Sequence, residues 1–145
     1  MGEIVISKEY GYVLSTFAAS ALYLFSLGIT VGKYRKDAKV PYPYAYAEKT
    51  EAEKDPKKNL FNCAQRVHQN NLELFPIYST FLLIGGIRYP LYASYAGILY
   101  LLGRVVYSSG YRTGNPTKRL RGAFAYLGLL SLMGMSGSTL YHLVQ

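Results

Sequence analysis

A dense polar run, Phe61-Asn62-Cys63-Ala64-Gln65-Arg66-Val67-His68-Gln69-Asn70-Asn71-Leu72-Glu73, leads straight into an apolar stretch. At about 100° per residue on a helix, Arg66, Asn70 and Glu73 stand at i, i+4 and i+7 and fall within about 60° of one another. A cationic fork, an amide and a carboxylate thus share one stripe. At the edge of a membrane such groups are costly to desolvate, which makes them candidates for gripping a small zwitterionic ligand rather than for holding the fold together.

A second stripe follows. Tyr100, Arg104, Tyr107 and Tyr111 lie within about 60° of each other on one helix face, and Arg104 is too deep to meet lipid without cost. An interfacial tyrosine belt is the alternative; four tyrosine and arginine positions on one stripe favour a lined site. Next comes Tyr111-Arg112-Thr113-Gly114-Asn115-Pro116-Thr117-Lys118-Arg119-Leu120-Arg121, a turn and then a basic cluster opening a helix. Three cations at a helix start suit an anion, or equally a lipid headgroup. The single Cys63 excludes an internal disulfide and reads as a small packing residue. No metal site is expected.

Four apolar helices must position these groups, at about residues 11–32, 60–87, 90–112 and 118–144 of the 145, within a single domain. Residues 11–32 and 122–145 contain no Asp, Glu, Lys or Arg, and each run is long enough to cross a hydrocarbon core of roughly 30 Å. The expected fold is all-α, an integral membrane bundle of four transmembrane helices. A soluble bundle would show polar outward faces at every turn, which residues 22–29 and 127–135 lack. A cleaved signal peptide is not expected, since Glu3 and Glu9 stand against Lys8 before the first span, and the first six residues miss the myristoylation pattern.

The formal charge of +8 is explained by topology and calls for no nucleic acid. Of the sixteen Lys and Arg residues, fourteen lie between Lys33 and Arg66 or between Arg104 and Arg121. Those are the first and third connections, which the positive-inside rule places in the cytosol, with both termini on the other side. The long connection, about 33–59, has a proline- and tyrosine-rich middle around Pro41 and Pro43, read as an extended strip over the cytosolic mouth. Pro76 should kink the second span, and Gly28 with Gly32, and Gly134 with Ser138, form pairs that allow close helix approach.

At these residues the chain resembles the membrane-associated proteins in eicosanoid and glutathione metabolism, closest to the type-3 microsomal glutathione S-transferase branch, whose neighbours include leukotriene C synthase. The match rests on Phe61-Asn62-Cys63, Gln65-Arg66, His68-Gln69-Asn70 and Leu72-Glu73, then Gly103-Arg104-Val105, Tyr107, Gly110-Tyr111, Thr113-Gly114, Pro116, Lys118-Arg119 and Arg121-Gly122-Ala123. Val31-Gly32-Lys33, Val40 and Tyr42-Pro43 extend it upstream.

The resemblance implies a homotrimer in the endoplasmic reticulum or outer mitochondrial membrane. Its glutathione site lies between subunits and opens to the cytosol. By position Arg66, Asn70, Glu73, Tyr107 and Tyr111 would contact glutathione, with Arg104 on the same lined face. Arg35 and His68 would reach the neighbouring subunit's site. Arg119 is the choice for the arginine that activates the thiol, with Lys118 and Arg121 as alternatives. Leu74 stands where leukotriene C synthase has a tyrosine, so leukotriene specificity is not implied.

The chemistry would be glutathione conjugation. The co-substrate's thiolate attacks a lipophilic electrophile arriving through the bilayer, or a lipid hydroperoxide in a peroxidase reaction. The rival is a non-catalytic lipid-binding adaptor like the lipoxygenase-activating member of the same family. A small transporter is weakened by the lack of paired broken helices.

Overall fold

A computed structural model describes residues 5–145. The start that bears Glu3 and the expected lack of a myristoylation pattern lies partly outside the described residues. Four long helices run up and down: α1 (Tyr10–Ala38), α3 (Pro56–Arg88), α4 (Pro90–Tyr111) and α5 (Ala125–Leu143), with a four-residue helix α2 (Lys49–Ala52) in the long connection. Among the described residues there is no strand. α1 and α5 each pack against both α3 and α4.

Local sequence sets each boundary. α1 continues six residues beyond the expected end at 32, because its basic last turn, Arg35 and Lys36, favours the negative end of the helix dipole. It stops at Lys39, whose left-handed backbone (φ 53°) returns its N–H to the last turn. Asp55 caps α3 by accepting from the Lys57 N–H at 2.9 Å, with Pro56 in the first turn where its missing donor costs nothing. α3 runs unbroken through Pro76.

Two readings need correction. The strip around Pro41 and Pro43 is a turn, closed by Tyr44 N–H to the Pro41 carbonyl at 3.3 Å, and not an extended segment. The last helix does not start at 118: Pro116–Gly122 is a 3-10 helix, capped by the Asn115 side chain, and it meets α5 at a bend of 47°. Gly110 explains that docking. A Cβ there would collide with the Lys118 carbonyl, so only glycine lets the cationic turn sit directly on α4.

The core lies between the four helices. Tyr78, wholly buried, shares a hydrogen bond of 2.9 Å with Ser20 and stacks on Tyr100 at 4.2 Å between centroids. Tyr10 at the start of α1 donates to the Leu83 carbonyl near the end of α3, and Asn59 near the start of α3 donates to the Gly114 carbonyl. Those two bonds mark opposite ends of the bundle. Both basic connections therefore meet at one end, and the outer faces carry large exposed apolar residues such as Leu22, Phe25, Leu127 and Leu130. Among the described residues, α1 is the one helix long and apolar enough by itself to cross a membrane, and the 3-10 helix with α5 is a second if the two count as one span. α3 opens on its polar run and α4 is dense in tyrosine, so neither qualifies on composition.

Candidate functional site

The helical stripe on α3 is closed on itself. Arg66 forms a two-point pair with Glu73, Nη1 to Oε1 at 3.0 Å and Nη2 to Oε2 at 3.4 Å, across the two turns that separate them. Both side chains remain roughly half exposed, at 40% and 48%. Asn70 stands between them in sequence, and its side-chain oxygen accepts from Arg104 Nη2 at 2.6 Å.

α4 supplies the facing wall. The Arg104 guanidinium lies 4.0 Å from the centre of the Tyr107 ring, and Tyr107 meets Tyr111 at 5.7 Å. The 3-10 helix brings Arg119 to 5.9 Å from the Tyr111 ring, where its Nη1 also donates to the Pro116 carbonyl at 3.2 Å. Arg119 and Arg121 are exposed and Lys118 is half-buried. Two long helices and the 3-10 helix thus deliver three cations, a carboxylate, an amide and two phenols to the basic end of the bundle.

Several expected residues lie elsewhere. Arg104 is buried at 4% exposure beneath the stripe instead of lining it. Tyr100 belongs to the core, stacked on Tyr78, because the face of α4 that carries it turns between α1 and α3. Arg35 is spent on the long connection: it donates to the Tyr44 carbonyl at 2.7 Å and lies over the rings of Tyr42 and Phe61 at 4.5 and 4.7 Å. His68 faces α1, where its Nε2 would stand 3.5 Å from a Cβ on Gly28, and opens on an apolar groove lined by Leu24, Phe25, Leu72 and Phe75. Neither Arg35 nor His68 joins the Arg66 cluster within one chain. Cys63 is buried in α3.

One residue escaped the sequence reading. Tyr46, in the long connection, donates its hydroxyl to Gln69 at 3.1 Å and stands beside Arg66, Glu73 and Tyr111. Burial pushes its phenol above the ordinary tyrosine range, and the Arg66 charge pulls against that shift. Its neighbour Ala47 is clamped by Asn62, which accepts from the Ala47 N–H at 2.8 Å and donates to its carbonyl at 3.0 Å. The signal available in sequence was an asparagine one turn before Arg66, which names no partner.

A helical bundle with apolar outer faces, and with its polar groups gathered at one cationic end, is compatible with a membrane. A family model described as the MAPEG family matches residues 13–141, and the chain belongs to that family. The family is membrane-associated, and it includes glutathione transferases and peroxidases as well as members without enzymatic activity.

Proposed function

We propose that this protein is a membrane-bound glutathione transferase that conjugates glutathione to lipophilic electrophiles, with lipid hydroperoxide reduction as a second reaction of the same thiolate. It works as a homotrimer of four-span subunits in the endoplasmic reticulum, or alternatively the outer mitochondrial membrane, with the site open to the cytosol. The observation that carries this reading is the Arg66–Glu73 pair, lying open beside Asn70, Tyr46, Tyr107 and Tyr111.

Magnitudes favour exchange of that pair for a ligand. A half-exposed ion pair contributes about 0–1 kcal/mol, whereas each hydrogen bond from a charged group to a bound partner is worth about 1.5–3 kcal/mol. The γ-glutamyl end of glutathione carries both a carboxylate and an ammonium. Arg66 takes the first and Glu73 the second, so opening the pair costs less than the new contacts return. Tyr107 and Tyr111 flank the remainder of the tripeptide; His68, which faces away from the Arg66 stripe, serves the neighbouring subunit, and Arg35 does so once a ligand there draws it from the Tyr44 carbonyl.

Arg119 supplies the activating charge. A free thiol of pKa about 8.5 is only a few per cent thiolate at neutral pH, and a guanidinium beside it lowers that pKa by roughly 1–3 units. With an epoxide the thiolate forms a carbon–sulfur bond as the carbon–oxygen bond breaks, and the alkoxide takes a proton from solvent. With a hydroperoxide it takes the terminal oxygen; the alkoxide left behind is protonated, and a second glutathione converts the sulfenic acid to disulfide and water.

Isothermal titration of the purified protein with glutathione, followed by a conjugation assay with an aryl halide, tests the reading. Micromolar to millimolar binding with saturable turnover is expected. Binding of lipid without binding of glutathione would favour the non-catalytic adaptor instead.

A further inference from the structure

Arg104 is buried in α4, yet among the described residues no carboxylate pairs with it. A buried cation without a counter-charge is expensive, so what it holds must account for its place. Its Nε donates to Asn71 Oδ1 at 2.9 Å and its Nη2 to Asn70 Oδ1 at 2.6 Å, while its plane covers Tyr107. Asn71 in turn donates its own amide to the Val67 carbonyl at 2.8 Å, which ties the arrangement into the α3 backbone.

A guanidinium has donors only. The Asn70 atom that faces it is therefore oxygen, and the NH2 edge of that amide is turned away from Arg104 toward the Glu73 carboxylate, the same side on which a ligand would displace Arg66. We propose that Arg104 is a positioning residue that fixes Asn70 with its NH2 as the edge offered to the ligand. Asn70 then recognises an acceptor, a carboxylate or thiolate of the ligand, and rejects an ammonium at that point. The ligand's ammonium is left to Glu73 alone. Arg104 itself touches no ligand; its fork spans two adjacent asparagines, a geometry that lysine's single ammonium does not reproduce. The ligand half of this inference rests on the glutathione reading, and the orientation half does not.

Asn70→Asp separates the possibilities, since it keeps an oxygen toward Arg104 and replaces the NH2 edge by a second oxygen. The variant should keep its unfolding temperature in detergent, because the counter-charge Arg104 gains offsets the new carboxylate's repulsion with Glu73, while its glutathione affinity by calorimetry falls at least tenfold. In an Arg104→Gln background the same Asp substitution should lose that offset. Arg104→Lys should recover the stability lost in Arg104→Gln without recovering glutathione affinity. Should Arg104→Gln yield no folded protein, Asn70→Asp and Arg104→Lys alone still divide the outcomes. Unchanged or tighter glutathione binding by Asn70→Asp would overturn the proposal, as would affinity that simply tracks stability across the series. A wild-type protein that binds no glutathione sinks the proposed function, and the stability cycle then decides the amide's orientation by itself.

Discussion

Arg66 and Glu73 neutralise one another across two helical turns, and that pairing sets what a ligand has to offer. Glu73→Gln keeps the shape and removes the charge that would hold an ammonium. Glutathione binding should weaken by about 1.5–3 kcal/mol with the assembly intact; loss of the assembly with normal residual affinity would make Glu73 structural. Arg119 lies exposed over Tyr111, and under the proposed function the ligand's carboxylates are held by other residues. Arg119→Ala should leave most of the affinity, cut conjugation at neutral pH about tenfold or more, and regain much of the rate as pH rises and free thiolate appears unaided. Absorbance near 240 nm, where a thiolate absorbs, should fall in the bound mutant. A mutant with full thiolate signal and unchanged rate would pass the role to Lys118 or Arg121. The stripe was legible because helical period alone groups positions i, i+4 and i+7. The direction of Arg104, inward onto two amides, was not, because α4 buries more than one face.

Two short elements decide how the site is closed, and both depend on a backbone contact. The 3-10 helix sits on α4 through Gly110, where a Cβ would meet the Lys118 carbonyl. Gly110→Ala should therefore displace the cationic turn and lower stability by about 1–3 kcal/mol, the usual cost of overpacking, with conjugation falling further than glutathione binding. Thermal unfolding in detergent checks the first effect and steady-state kinetics the second; wild-type behaviour in both would mean that the turn is not docked as described. The long connection depends in the same way on Asn62, which satisfies both backbone groups of Ala47. Asn62→Ala leaves two partly buried groups unpaired, so limited proteolysis should cut near Tyr46 sooner and glutathione should bind more weakly. The asparagine and the tyrosine are each visible in the sequence. Their meeting is not, since it depends on a turn and on Arg35, whose guanidinium bonds the Tyr44 carbonyl and lies over Tyr42.

At the scale of the whole molecule, charge separates along the bundle axis. The ends of α1 and α4, the start of α3, the long connection and the 3-10 helix all meet at one pole, while Lys8 and Arg88 lie at the other. Apolar periodicity made the four long helices legible, and the contact between the two basic connections follows from antiparallel packing of α3 and α4. Of the small-residue pairs, Gly28 and Ser138 meet neighbouring elements through His68 and Tyr89 while Gly32 and Gly134 meet nothing within 4 Å in this chain, and it is Gly103 and Gly128 that bring α4 and α5 together. If the cationic pole faces the cytosol, as the positive-inside rule requires, impermeant amine reagents added to right-side-out microsomes should modify Lys36, Lys58 or Lys118 and spare Lys8. Lys36 is exposed and unpaired among the described residues, whereas Lys58 is held by Glu51 at 2.9 Å, so Lys36 should react before Lys58. Permeabilised microsomes should then add Lys8. Labelling confined to Lys8 before permeabilisation would invert the orientation and put the Arg66–Glu73 site on the luminal side, out of reach of cytosolic glutathione.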